Sequence, residues 1–514
     1  MFQIKVCANK KGVTRMGTFS LKVAGITAAV VFAGFACGAV ATSGRTSGDT
    51  RAFTVKLQID KPYCVLNFME VLRTKGYYGP TLYEHYKKSK YSDDEALAKL
   101  VQQYSSVRIA YAYHFDGYPK YRYMAKDRTT SDLFFALSAR TESLEQFKQM
   151  TVGIIPFDDH RRLFEILVAV EPIYDELVWN PYYTKAQARL KGLKEYAETV
   201  HLGEKLRPIA HFVSSSWSPE IPVIVSFSIV PGEKIKLVPP PVGNVIRAGL
   251  LPDSEDYSWY IGLIAHEFAH RAFAEQPLQT HQQIDQWLTE SRSPHRGMVN
   301  LMFDEVLGGA IGHRVREDLS GQVQEFTYNQ PVIKAFDEAI YPLVVSYLKE
   351  GKAIDKAFVN ECLVLYEKTF PDALREYRSL FQAYYLLTDV DGGGERKLPQ
   401  VIRQNIVAPM MYEVASGITD DNIKALMAYD FTKVIVVTKD HARAIAHLKG
   451  RIGALAGFDG LDAGADWVLS CHDVAGSPYV LVNIQSVEAF EAVTKKLQAA
   501  KMIDPKNAIL RMGP

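Results

Sequence analysis

The chain has 514 residues and a formal net charge of +1 at pH 7, and it contains no dense cluster of lysine and arginine. This balance argues against nucleic acid as a partner, because proteins that bind nucleic acid neutralise phosphates with basic patches. Only three of the five cysteines follow the first fifty residues, namely Cys64, Cys362 and Cys471, so at most one internal disulfide can form among them. No C-x-x-C pair is present, which leaves a thiolate zinc site without support.

The first 41 residues have the pattern of a targeting segment. Basic residues between Lys10 and Lys22 precede an uncharged stretch over residues 23–41, which ends in the small residues Ala39-Val40-Ala41. This order is typical of a signal peptide, and we therefore predict export to the periplasm or the extracellular space. The alternative is an uncleaved segment, in which case residues 23–41 would attach the protein to a membrane.

Residues 42–215 are predicted to form a mostly helical N-terminal part, because apolar residues recur near the helical period in several segments. The predicted helices cover residues 63–73, 92–104, 132–137, 157–179 and 185–212.

From residue 216 the pattern changes to strands. Residues 221–230 are β-branched and end at a Pro-Gly turn, a second strand is predicted over residues 234–238, and a third over residues 243–250. A helix is predicted next, over residues 258–273.

This helix contains the sequence His266-Glu267-Phe268-Ala269-His270. Four residues are just over one helical turn, so both imidazoles project from one face at a separation that suits two ligands of a single zinc ion. Glu267 leans toward the same face, where it can take a proton from a water whose pKa the zinc lowers to about 7. These groups are the parts that metal-assisted hydrolysis needs.

The motif resembles that of the zincin metallopeptidases. Uncharged residues surround the histidines as in the extended zincin pattern, whereas Arg271, directly after the second histidine, departs from it. Phe273 and Gln276 stand where the metzincin branch has a glycine and a histidine, so that branch is excluded. The gluzincin branch, whose third ligand is a glutamate from a later helix, remains open.

Two glutamates are candidates for the third ligand. Glu305 is followed by Gly308 in a segment that looks like the ligand helix of many gluzincins, where small residues allow a close approach to the motif helix. Glu290 resembles the corresponding residue of the thermolysin-related aminopeptidases, but its spacing from His270 is one residue longer and a proline soon ends its helix. We favour Glu305.

Further roles at such a site have several candidates. Asp304 can orient one of the histidines through its second ring nitrogen, although on a helix it points about 100° away from Glu305. The donor that stabilises an oxyanion is often a tyrosine or histidine in gluzincins. The candidates for it are Tyr328, Tyr384, Tyr385 and His313.

Helices resume after the motif, and the pattern alternates again near the C terminus. The predicted helices cover residues 299–317, 332–351, 356–369 and 371–387. They are followed by strands over 434–437, 467–471 and 479–484 and by helices over 442–455 and 487–499. This order predicts a small C-terminal α/β module.

We therefore expect an α+β protein that is mostly helical, with a zincin-like core, a small mixed sheet before the motif helix and the C-terminal module. The parts are a signal peptide or membrane anchor (1–41), a helical N-terminal part (42–215), a zincin-like catalytic part (216–429) and the C-terminal α/β module (430–514).

The resemblance implies an exported zinc-dependent hydrolase, and first of all a metallopeptidase acting on a peptide or protein. His266, His270 and Glu305 would bind Zn²⁺, and Glu267 would be the general base. The alternatives are a catalytically inactive zincin-fold binding protein of the cell envelope, a hydrolase of a non-peptide amide or ester, and a helical protein in which the motif is accidental. The intact Glu267 argues against a pure binding protein, which would not need it.

Overall fold

The structure is a computed structural model that describes residues 51–77, 79–113, 128–235, 239–322, 330–459, 461–504 and 508–512. The predicted targeting segment over residues 1–41 and the candidate Tyr328 lie outside the described residues. Among the residues that are described, no helix is both long enough and apolar enough to cross a membrane.

The described part is a mixed α/β structure rich in helix, as expected at this coarse level. Its helices are α1 (Lys61–Arg73), α2 (Pro80–Lys87), α3 (Glu95–Ser106), α4 (Thr130–Ser138), α5 (Leu144–Met150), α6 (Phe157–Tyr174), α7 (Asn180–Thr199), α8 (Leu202–Phe212), α9 (Tyr257–Ala274), α10 (Leu278–Glu290), α11 (Arg296–Ser320), α12 (Pro331–Glu350), α13 (Lys356–Thr369), α14 (Tyr377–Leu380), α15 (Lys397–Asn405), α16 (Asp420–Met427), α17 (His441–Arg451), α18 (Gly453–Ala456) and α19 (Ala489–Ala500).

The strands are β1 (Val55–Gln58), β2 (Ala112–Tyr113), β3 (Arg128–Thr129), β4 (Val223–Ile229), β5 (Val245–Leu250), β6 (Ala383–Thr388), β7 (Met411–Ser416), β8 (Thr432–Val437), β9 (Trp467–His472), β10 (Pro478–Asn483) and β11 (Ile509–Arg511). The short strands β2 and β3 pair with each other, and the others form the two sheets described below.

A three-stranded sheet lies before the motif helix, in the order β1-β4-β5. All its strands are parallel, so the expectation of a mixed sheet is wrong. Parallel pairing needs crossovers of about a dozen residues or more, which the connection over residues 230–244 provides between β4 and β5. The strand predicted over residues 234–238 does not form at Lys234 and Ile235, and its remainder lies outside the described residues.

The motif helix α9 forms hydrogen bonds, near both of its ends, with residues that flank strand β5. Asp256 caps the helix by accepting a hydrogen bond from the backbone of Trp259 at 2.9 Å. The hydroxyl of Tyr260 accepts a hydrogen bond from the backbone N–H just after β5, at 2.9 Å. At the other end, Arg271 Nε donates to the carbonyl of Gly243, just before β5, at 2.7 Å. Helix α9 and strand β5 therefore run antiparallel and side by side.

Helices α9 and α11 approach each other closely through glycines. A Cβ atom at Gly312 would lie 2.9 Å from the carbonyl oxygen of Gly262 and 3.0 Å from the Cβ of His266. A Cβ at Gly308 would lie 3.2 Å from His270 Nε2. Side chains at these positions would push the two helices apart, so the small residues after Glu305 have the packing role that the sequence suggested.

We predict that Gly312→Ala destabilises the protein by about 1–3 kcal/mol, because backbone atoms of α9 cannot yield to the new methyl group without a helix shift. The steric cost should exceed the roughly 1 kcal/mol that alanine gains over glycine in helix propensity, so the net effect is destabilising. The matched control is Gly450→Ala in α17, where an added Cβ meets no atom within 4 Å. That variant should be stabilised by about 0.5–1 kcal/mol. Urea unfolding of both variants checks the prediction, and equal effects of the two would contradict it.

The second sheet has six strands in the order β11-β9-β10-β8-β6-β7. The predicted strands and helices after residue 430 are present in the predicted order, with helix α18 and strand β11 in addition. The helix predicted over residues 371–387 is wrong. That segment contains the four-residue helix α14 and then strand β6, which is buried on both faces. Such a strand has a continuous apolar sequence that periodicity does not separate from a buried helix. The sheet consequently begins within the range that we had assigned to the catalytic part.

The described residues form three hydrophobic cores. The largest lies among α1 to α13 and the three-stranded sheet, and the other two lie on the two faces of the six-stranded sheet. Cys64 and Cys362 belong to the first core and Cys471 to the second. All three thiols are buried and none of them forms a disulfide in this structure, so they act as small apolar side chains.

Candidate metal centre

The two histidines of α9 present their Nε2 atoms to the same point. The Nε2 atoms of His266 and His270 lie 3.1 Å apart, and the ring centroids are 4.7 Å apart. Two nitrogens bound to one tetrahedral zinc at about 2.0–2.1 Å would be about 3.3 Å apart. The pair therefore has the separation that a shared zinc ion requires.

Glu305 of α11 faces both histidines. Its Oε1 lies 3.8 Å from His266 Nε2, and its Oε2 lies 3.5 Å from His270 Nε2. One ligand atom from each of the three side chains lies within 4.8 Å of the others. Two imidazoles and a carboxylate are a donor set that zinc accepts, with a fourth position left for a water or substrate. The residues present fit the metal that the motif implies.

The competing ligand Glu290 is placed elsewhere. It is the last residue of α10, and its carboxylate accepts a hydrogen bond from Gln286 at 2.6 Å and one from Lys356 at 3.1 Å. Both contacts are at the surface, and Glu290 is absent from the cluster of metal-ligating side chains found among the described residues. The structure thus brings Glu305, rather than Glu290, to the histidines.

Asp304 contacts the other side of the His270 ring. Its Oδ2 lies 3.1 Å from His270 Nδ1, and both side chains are largely buried. These two adjacent residues of α11 therefore contact opposite edges of the His270 imidazole: Asp304 lies near Nδ1, and Glu305 lies near Nε2. The angle of about 100° between them, which the sequence suggested as an objection, is what allows this arrangement.

We predict that Asp304→Ala weakens zinc binding about 10- to 100-fold, because His270 would lose the group that orients its ring. Asp304→Asn should lose less, since the amide oxygen can still accept from Nδ1. Asp318→Ala is a matched control on the same helix, where the aspartate pairs with Arg314 instead. Competition with a chelator of known affinity measures the three variants, and a zinc affinity that is equal in Asp304→Ala and the control would contradict the orienting role.

The proposed base Glu267 is buried beside the cluster. Its side chain is 7% exposed, and its Oε1 lies 3.9 Å from His266 Nε2. Burial, together with the negative charges of Glu305 and Asp304, raises the pKa of Glu267 to about 8. A carboxyl group with a pKa near neutrality can both accept and return a proton at physiological pH.

The two histidines have opposite electrostatic environments. Burial and the neighbouring His270 ring lower the pKa of His266 well below its ordinary value. Burial also disfavours the charged form of His270, but Asp304 and the two glutamates outweigh this and raise its pKa to about 10. At neutral pH the His270 ring is therefore a positively charged imidazolium, with a proton on each nitrogen. Its Nε2–H can donate a hydrogen bond to the neutral ring of His266.

Zinc uptake should consequently release about one proton at neutral pH, because a histidine must be unprotonated to bind metal. The proton on His270 competes with zinc at every pH below its pKa of about 10. Zinc affinity should therefore rise about tenfold per pH unit between roughly pH 6 and pH 8. Chelator competition at several pH values checks this, and an affinity that does not change with pH would contradict it.

The candidates for the oxyanion donor lie in different parts of the structure. Tyr384 and Tyr385 are buried in the cores of the six-stranded sheet. His313 lies two turns after Glu305 on α11, close enough that a charge on its ring would lower the pKa of His266. Burial lowers the pKa of His313 itself to about 4, so its ring is neutral at physiological pH. Among the described candidates, only His313 has an electrostatic interaction with one of the two motif histidines, His266.

Two buried ionisable residues near the site were not predicted from the sequence. Asp337 of α12 is fully buried, and burial together with the charge of Glu305 raises its pKa to about 9. Arg247 of β5 is also buried, and its charge acts on Glu267. The signal that could have found them is an isolated charge within an otherwise apolar helix face or strand.

Comparisons with known proteins give no relative for this chain. No protein-family model matches it, no curated protein matches it, and no solved structure matches it. Fold alone would in any case not determine a reaction, since chemistry depends on the site. A function for this chain is therefore inferred from His266, His270, Glu305 and Glu267.

Proposed function

We propose that the protein is a zinc-dependent hydrolase of the gluzincin kind, and specifically a peptidase. The observation that carries this proposal is the convergence of His266, His270 and Glu305 on one point, with the carboxyl group of Glu267 beside them. We also propose that it acts after export, because of the targeting pattern over residues 1–41.

Each residue has a distinct part in the proposed reaction. His266, His270 and Glu305 hold the zinc, which when bound lowers the pKa of water and polarises a carbonyl oxygen. Glu267 takes a proton from the attacking water and then delivers it to the leaving amine. Burial raises the pKa of Glu267 to about 8 in the metal-free protein, and the positive charge of a bound zinc would lower it toward the range in which the carboxylate can act as a base.

The choice of a peptide as the substrate follows from the resemblance to the zincin peptidases, in which an edge strand beside the motif helix holds the substrate. β1 and β5 are the edge strands of the three-stranded sheet, and β5 is the one that lies alongside α9. An edge strand can hold an extended peptide by main-chain hydrogen bonds. Every residue of β5 is buried in this structure, and Val245 is bridged to Val242, so this edge would have to open before a peptide could pair with it.

The proposal is tested with a pool of peptides of mixed sequence. The full chain is loaded with zinc, stripped with a chelator, or stripped and reloaded, and the products are analysed by mass spectrometry. We expect cleavage with zinc, none after stripping, and recovery after reloading. Zinc bound at one per chain without cleavage of the pool, or of simple amide and ester substrates, would contradict a hydrolase and favour the inactive binding protein.

A further inference from the structure

A cavity of about 570 Å³ lies along the outer edge of strand β1. β1 is an end strand of the three-stranded sheet, and among the described residues no strand pairs with its other side. The facing wall of the cavity is one side of helix α7, which contributes Lys194, Ala197 and Glu198 at helical spacing. The cavity is therefore a groove between a free sheet edge and a helix.

The strand register directs main-chain groups of β1 into this groove. The backbone N–H of Val223 in β4 donates to the carbonyl of Thr54 at 2.8 Å, so alternate residues of β1 face β4 and the residues between them face outward. Val55 and Leu57 are the outward-facing residues, and their N–H and C=O groups form no hydrogen bond within the described part of the chain. The groove thus offers two donors and two acceptors at the spacing of a strand.

The corner between α7 and α8 closes the groove at the amino end of β1. The N–H of Phe53, just before β1, donates to the carbonyl of Gly203 at 3.1 Å. A Cβ atom at position 203 would collide with the carbonyl oxygen of Phe53, so the glycine is what allows this contact. A chain that pairs with β1 must therefore end at this corner.

Helix α7 runs antiparallel to β1. Arg189 of α7 donates to the hydroxyl of Tyr257 at 2.9 Å, and Tyr257 opens α9 beside the carboxyl end of β5. From there α7 continues to the corner at Gly203, beside the amino end of β1. Successive turns of α7 consequently line the groove from its carboxyl end to its closed end.

Charges of opposite sign lie at different levels of the groove. Glu198 and Glu204 are at the closed end, and Lys194 is one turn away from it. All three side chains are exposed, and none of them forms an ion pair among the described residues. On a neighbouring face of α7, by contrast, Lys191 and Glu195 pair at 3.9 Å. The groove therefore carries free charges of both signs.

The groove and the metal centre lie on opposite sides of α9. Phe53 lines the groove, and its ring packs edge-to-face on Phe268 with the centroids 5.0 Å apart. Phe268 is two residues from His266 and two from His270, which places it about 200° around the helix from each of them. A ligand in the groove is thus separate from the metal, and its binding does not depend on the proposed hydrolase function.

We propose that this groove binds a short peptide with free termini, which adds a fourth strand parallel to β1. Its main chain pairs with the outward groups of Val55 and Leu57, as in other cases of strand addition to a sheet edge. Its ammonium group lies at Glu198 and Glu204, and its carboxylate lies toward Lys194. A peptide matches both features of the groove, because it combines a main chain of alternating donors and acceptors with opposite charges at its two ends.

The test uses a pool of tetrapeptides of mixed sequence in three forms: with free termini, with an acetylated amino terminus, and with an amidated carboxyl terminus. Binding to the full chain is measured by equilibrium dialysis and mass spectrometry after zinc has been removed with a chelator, so that no peptide is cleaved. We expect the free form to bind. Each cap should weaken binding about two- to fivefold, the range for exposed charge pairs.

Variants assign the binding to the groove. Val55→Pro removes one outward N–H and no bond to β4, a place where an edge strand tolerates proline. It should weaken binding about two- to tenfold relative to Val55→Ala, which keeps the N–H. Combining Glu198→Gln with Glu204→Gln should abolish the effect of acetylation, whereas the control Glu195→Gln should retain it. Melting temperatures establish that the variants are folded, and the comparison of the three forms on the wild type needs no variant.

Four results would overturn the inference. Absence of binding by the free form would show that the groove takes no peptide. Equal binding of the capped and free forms would show that the termini are not recognised. Equal affinities of Val55→Pro and Val55→Ala would place the peptide elsewhere on the protein. A wild-type dimer that Val55→Pro dissociates in sedimentation would assign the edge of β1 to a second copy of the chain.

Discussion

A Glu267→Gln variant should lose hydrolytic activity by about 10²- to 10⁴-fold while it keeps its zinc. The amide has nearly the shape of the carboxyl group but cannot accept and return a proton. Glu267 contributes no ligand to the cluster of His266, His270 and Glu305, so the metal should remain bound. Initial rates on a cleaved peptide, measured beside the zinc content of the same sample, check both halves of this prediction.

The matched control is Glu255→Gln, which changes an exposed glutamate just before the same helix. It should leave both the rate and the zinc content unchanged. Near-normal activity in Glu267→Gln would eliminate the general-base role. Loss of zinc in that variant would instead show that Glu267 supports metal binding.

Glu305→Ala should weaken zinc binding by more than about a hundredfold, because it removes a ligand and not merely a group that orients one. His266 and His270 would remain as the only protein ligands of the proposed site. Glu290→Ala should leave the affinity unchanged, since Glu290 contacts Gln286 and Lys356 at the surface. Chelator competition on the two variants side by side gives the comparison.

The two variants form a matched pair, because both delete a glutamate from a helix that follows the motif. A loss of zinc affinity in Glu290→Ala with none in Glu305→Ala would reassign the third ligand. An equal loss in both would indicate that the effect comes from general destabilisation. Urea unfolding of the zinc-free proteins separates that case from a loss of ligation.

The motif helix and its neighbour were predicted well from the sequence. The helices predicted over residues 258–273 and 299–317 correspond to α9 (Tyr257–Ala274) and α11 (Arg296–Ser320). Both are long segments with clear periodicity, which is the strongest local signal. The approach of the two histidines also follows from local geometry, because residues four apart on a helix share a face.

The third ligand depends on long-range packing, and the sequence left it open between two residues. Small residues at Gly308 and Gly312 indicated a close helix contact, and the structure shows such a contact between α9 and α11. The position of Glu290 relative to the histidines could not be read from spacing alone, since spacing along the chain does not give the direction in which α10 leaves the site.

Other features could not be predicted because they arise from the assembled fold. The segment over residues 371–387 has a continuous apolar pattern, and its burial inside a parallel sheet makes it a strand instead of the helix that we expected. The burial of the ionisable residues Arg247 and Asp337 likewise depends on how the helices pack around β5 and α11. Single charged residues in apolar segments mark such positions, but they do not identify the neighbour.

We propose that His266, His270 and Glu305 form one zinc site, and the most direct test is the metal content of the purified wild-type protein. The protein is incubated with zinc, dialysed extensively against chelator-free buffer, and analysed by elemental mass spectrometry. We predict about one zinc per chain. A wild-type protein that retains no stoichiometric zinc after this treatment would contradict the claim and leave the motif as a coincidence of sequence.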